Sequence, residues 1–127
     1  MPKKLTRKLK PTKKNIAAAK NFVFLKWKER AQELDLKEPV DLTNACKFAS
    51  LFVQQVFGGR LRGNWHHQWV EIGDRVIDLT GSHPTVPCGW PYEHDEEFWL
   101  NEEHKDSLAS CIPRVNAWVQ EFLKESL

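Results

Sequence analysis

The stretch that most constrains this chain is Asn64-Trp-His-His-Gln-Trp-Val-Glu-Ile72, followed by Gly73-Asp74 and then Arg75-Val-Ile-Asp-Leu-Thr80. Two runs rich in β-branched and aromatic residues, joined by a two-residue Gly-X turn, specify a hairpin with a type II′ or I′ turn. A two-residue loop pairs Ile72 with Arg75, so paired positions sum to 147. Residues opposite each other in an antiparallel pair share a face. His67, Trp69, Glu71, Val76, Asp78 and Thr80 then line one side, and His66, Gln68, Val70, Ile72, Ile77 and Leu79 the other. His67 and Asp78 become diagonal neighbours, with Cβ atoms about 6–8 Å apart, within reach of an imidazole–carboxylate bond. His66 points away. A β-bulge would reverse the two histidines.

The surrounding segments suggest helices. Ile16, Ala19, Phe22, Val23, Leu25, Trp27 and Ala31 mark an amphipathic helix from Asn15, its cap, to Leu34. Leu-Lys-Glu-Pro-Val-Asp reads as a loop. A second, strongly apolar helix begins near Asp41 or Thr43 as cap and stops at Gly58-Gly59. Four prolines and glycines in residues 82–99 indicate an irregular excursion whose Trp90, Tyr92, Phe98 and Trp99 fold back over the core. A short helix over Glu102–Ser110 and a last one over Pro113–Lys124 complete the chain. The expected fold is α+β, a small antiparallel β-sheet packed with helices. Residues 1–14 read as a flexible basic tail and 15–127 as a single domain.

The 127 residues are 41% hydrophobic, with six Trp and seven Phe, enough for one core. No run of 18 apolar residues is present to span a membrane, and no apolar signal segment follows the basic start. Three cysteines with no close pairing suggest free thiols and a cytoplasmic protein. Charge is unevenly spread. Residues 1–30 hold eleven Lys or Arg against one acid, and residues 91–106 hold seven acids against one base. The basic segment fits three readings: a solvated tail, an arm contacting nucleic acid or another acidic partner, or a complement to the chain's own acidic run. The acidic run reads as a solvated face, a selector of basic substrates or a lid.

Cys46 sits in the first turn of the second helix, where free N–H groups and partial positive charge favour a thiolate. A cysteine at a helix start, a histidine on a strand and an aspartate on the next supply nucleophile, base and orienter. Taken singly, Cys46 reads as a small core residue and His67/Asp78 as a cross-strand pair. His83, Cys88, His94, His104 and Cys111 match no zinc spacing, so no metal is expected. Cys88 is a second thiol with no histidine placed beside it. No phosphate loop or dinucleotide fingerprint appears, and no cofactor is expected.

The run Asn44-Ala-Cys46 through Gly59, with His66-His-Gln-Trp-Val-Glu-Ile72 and Val76-Ile-Asp-Leu-Thr-Gly81, resembles the core of transglutaminase-like and papain-like cysteine enzymes. The resemblance covers about Asp41 to Gly81. It implies that Cys46 is the nucleophile, His67 the base and Asp78 the orienter, with acyl transfer from a peptide, isopeptide or other amide. The papain-type Gln upstream of the cysteine is absent; Val40 stands six residues before it. An oxyanion hole would come from backbone N–H groups near Cys46 or from Asn44, Trp65 or Trp69. The competing reading is a non-catalytic binding module of the same fold with a basic N-terminal arm.

Overall fold

The computed structural model describes residues 8–81 and 83–125. The hairpin forms around Gly73-Asp74 in the expected register. Strand β2, Gln68–Ile72, pairs with β3, Arg75–Ile77, through Ile72↔Arg75, Glu71↔Val76 and Val70↔Ile77. Gly73 adopts φ 60°, the left-handed backbone that such a turn needs. Two short edge strands flank the hairpin: β1, Arg60–Gly63, beside β2, and β4, Thr85–Pro87, beside β3. The result is a four-stranded antiparallel sheet in the order β1-β2-β3-β4. Neither edge strand is evident in the periodicity, because three or four residues are too few to show alternation. β4 also corrects the irregular excursion expected over 82–99, as does helix α3, Glu96–Leu100, capped by the Asp95 carboxylate on the Phe98 N–H.

Helix α1, Lys13–Glu33, starts two residues before the expected Asn15 because the Thr12 hydroxyl caps it, accepting from Asn15 N–H at 3.1 Å. Helix α2, Cys46–Phe57, starts later than expected. Asp41 instead closes a local turn on Thr43 N–H, and Ala45 occupies the cap position without a capping side chain. Helix α4, Glu102–Glu125, is one continuous helix where two were expected, with Pro113 inside it. Proline in a helix interior typically costs about 3 kcal/mol, by removing a bond and crowding the preceding turn. Here Pro113 lies on the solvent face. Cys111 and Val115, on either side of it, lie on the same buried face as Trp118, Val119 and Phe122. Burying that stripe outweighs the local penalty.

The core lies between the helices and one face of the sheet. Phe22, Phe52 and Phe122 of α1, α2 and α4 meet with ring centroids 5.2–5.7 Å apart, and Val70, Ile77 and Leu79 close the cluster from the sheet. The opposite face is covered too: Trp69 and Val76 are buried there, and Tyr92 packs edge-on against Trp69. Trp90, expected over the core, is instead 84% exposed. The basic tail was expected to reach residue 14. Within the described residues, however, Leu9 packs against the core and its N–H bonds the Val56 carbonyl at 2.8 Å. Residues 1–7 of that tail lie outside the described residues. Several α1 cations are used within the fold. Lys20 bonds the Gly81 carbonyl, Lys26 pairs with Glu121, and Arg30 stacks on Trp27 and Phe48. No described helix is long and apolar enough to cross a membrane.

Candidate active site

Asn64 builds the turn between β1 and β2. Its side-chain oxygen accepts from the N–H groups of both His66 and His67, and its own N–H bonds the His67 carbonyl. This fixes His67 one residue before β2. His66 is exposed, whereas His67 is half-buried.

The ladder between β2 and β3 ends at Val70↔Ile77, so the expected opposition of Trp69 and Asp78 does not continue as strand pairing. Asp78 instead begins a turn. Its N–H bonds the Pro84 carbonyl, its carboxylate accepts from Thr80 N–H, and its carbonyl accepts from Gly81 N–H. The side chain still emerges on the His67 face. His67 Nε2 and Asp78 Oδ2 are 2.7 Å apart.

Asp78 is 4% exposed and fully engaged. The Thr80 hydroxyl donates to Oδ1 at 2.7 Å, and the Tyr92 hydroxyl donates to Oδ2 at 2.8 Å, the oxygen that also meets His67. Burial by itself pushes the carboxyl pKa up. The bonds from His67, then Thr80 and Tyr92, overcome that and hold it below its ordinary value. Burial and the bond to Asp78 push the Tyr92 hydroxyl up to about 12. The hydrogen bond to Asp78, and next the one with Cys46, push the His67 imidazole up to about 10 against the cost of its burial. Nε2 is the nitrogen committed to the carboxylate, with the Thr80 hydroxyl 3.3 Å from it as well.

Asp78 therefore holds His67 directly, and Cys46 lies near enough to the ring to raise its pKa further. Cys46 is half-buried as the first residue of α2. No capping side chain serves this end of α2, and among the described residues the N–H groups of Cys46, Lys47 and Phe48 have no hydrogen-bond acceptor. The other proposed oxyanion donors fare differently. Asn44 is exposed, with φ 70°. The Trp69 indole is buried and its N–H is committed to Glu71 at 3.3 Å. Trp65 is exposed and packs edge-on to Phe98 in the wall of a cleft.

That cleft measures about 900 Å³. His67, Asp78, Thr80, Tyr92, Trp90 and Glu93 are among its walls, and Cys46 is not.

The remaining cysteines and histidines are dispersed. Cys88 is exposed, Cys111 is buried in α4, and none of the three cysteines is paired. His94 is held by Gly63 N–H and Glu96. His104 is buried against Phe98 and Trp99. Among the described residues no group of three or more His, Cys, Asp or Glu is placed to hold a metal ion.

Sequence reading missed Tyr92, Asn64 and Gln68 as site residues. Gln68 is buried and donates at 2.7 Å to Ser50, one turn along α2 from Cys46, which ties the histidine strand to the cysteine helix. Tyr92 is the chain's single tyrosine, but its separation from Asp78 by an irregular loop leaves no periodic signal. No family model matches the chain, and no curated protein or solved structure is significantly similar to it.

Proposed function

We propose that the protein is a cysteine-dependent hydrolase or acyltransferase of the transglutaminase-like and papain-like class, acting on a peptide, isopeptide or other amide. The observation that carries this reading is the single imidazole held by a buried carboxylate and influenced next by the Cys46 thiol. An imidazole raised to about 10 carries its proton at neutral pH, the form a thiolate–imidazolium pair requires.

In this reading the Cys46 sulfur attacks the amide carbonyl carbon, and the electron pair moves to the carbonyl oxygen. Unbonded N–H groups at the start of α2 are suited to receive that oxyanion. As the C–N bond breaks, His67 gives its proton to the leaving amine, and a thioester remains on Cys46. Water or a second amine then attacks the thioester, His67 takes its proton, and the sulfur departs as thiolate. Asp78 stays ionised and holds the ring in position.

Cys46 alkylation by iodoacetamide, read peptide by peptide, tests the pairing, with exposed Cys88 as internal reference. His67→Gln is expected to slow labelling of Cys46 by at least about tenfold, while leaving Cys88 unchanged. Cys46→Ala is expected to fold normally and to lose the labelled peptide. An unchanged Cys46 rate in His67→Gln rules the assignment out.

A further inference from the structure

Two donors converge on one oxygen of the buried carboxylate. His67 Nε2 lies 2.7 Å and the Tyr92 hydroxyl 2.8 Å from Asp78 Oδ2. We propose that Tyr92 is a positioning residue that sets how strongly Asp78 holds His67, and that it links the cleft wall to the basicity of the imidazole. This rests on the catalytic reading of His67.

The chemistry follows from sharing. A carboxylate oxygen that accepts a second hydrogen bond has less charge to offer the first donor. The Tyr92 O–H also points the positive end of its dipole at the place where the imidazolium N–H points, which disfavours the ring's charge. Both effects lower the proton affinity of His67 relative to a site lacking the hydroxyl. Tyr92 therefore restrains a base that the buried carboxylate pushes upward, toward a pKa from which proton transfer at neutral pH is easier.

The placement is built by several contacts. The Tyr92 N–H bonds the Gly89 carbonyl at 2.8 Å, and its ring packs edge-on against Trp69 at 5.2 Å and beside His67 at 6.1 Å. Among the described residues, the titratable groups facing the imidazole are Cys46 from α2, Asp78 from the turn after β3, and Tyr92 from the loop after β4. That same loop carries Trp90 and Glu93 into the cleft wall. A molecule seated in the cleft that shifts the loop therefore changes the number of donors on Asp78. The coupling runs through one hydrogen bond and needs no movement of the sheet.

The test is an NMR titration of the His67 ring in the full chain, comparing the native protein with Tyr92→Phe. Phenylalanine keeps the ring against Trp69 and removes only the hydroxyl, so a purely structural role for Tyr92 predicts no change. The expected result is an upward shift of the His67 pKa, on the order of half a unit. An unchanged or lower value overturns the inference. A second measurement separates this from the catalytic assignment. Iodoacetamide labelling of Cys46 in Tyr92→Phe is expected to keep its dependence on His67 while its pH profile moves with the ring. If the ring shifts but Cys46 labelling is indifferent to His67, the hydrogen-bond coupling stands and the catalytic reading falls. If the ring does not shift while labelling depends on His67, Tyr92 loses its role and the cysteine chemistry stands.

Discussion

Two neighbouring histidines differ because one carboxylate reaches only one of them. His67 bonds Asp78 and is half-buried, whereas His66 is exposed. The pair has a definite pH signature. His67 is raised in the folded state from 6.5 to about 10, so the stability it contributes is fully present below 6.5 and is lost as pH rises through about 10. Asp78 is lowered from 3.8, so its contribution is present above 3.8 and is lost as pH falls through its depressed value. Asp78→Asn removes both. Its stability deficit, read from urea midpoints, is expected to be largest between 3.8 and 6.5 and to shrink as pH approaches 10. A deficit that does not vary with pH contradicts the ion pair. A period of two and a two-residue turn put His67 and Asp78 on one face in the sequence; in the structure two turns, Asn64's before β2 and Asp78's own after β3, bring them into contact. The second and third donors on Asp78 were not legible in this way, because Tyr92 comes from a loop whose path no local pattern specifies.

Among the elements, the link from α2 to β1 leaves no room for a side chain at Gly59. Gly59 adopts φ 94°, and a Cβ placed there would meet the Glu71 carbonyl oxygen at 2.7 Å and the Ile72 and Val70 side chains at 2.6 and 2.7 Å. Backbone cannot retreat from a methyl group as a flexible side chain can. Gly59→Ala is therefore expected to destabilise the fold by at least ~2 kcal/mol, measured by chemical denaturation. The Gly58-Gly59 pair was legible as a helix stop, and α2 ends at Phe57. Its other end was less legible. Asp41 and Thr43 are good capping residues, but they are used in the preceding turn, so Cys46 becomes the first helical residue. Pro113 misled in the opposite direction. Local stereochemistry argues for a break, and an apolar stripe spanning the proline argues for continuity. The stripe wins because its burial is collective while the proline's cost is borne once, beside solvent.

On the scale of the molecule, one core couples three helices to the sheet. Phe52 is fully buried between Phe22 and Phe122. Phe52→Ala is expected to cost about 3–5 kcal/mol and to lower the thermal midpoint accordingly, as measured by calorimetry. The α+β class, the hairpin and its register, the apolar helix bearing Cys46 and the choice of His67 over His66 were all determined by the sequence alone. They depend on periodicity and turn stereochemistry, which act over a few residues. The edge strands, the unbroken α4 and the Tyr92 contact to Asp78 were decided only by the tertiary structure. The nearness of the Cys46 thiol to the imidazole belongs with them. Each joins segments far apart in the chain, and their approach depends on how the whole core packs.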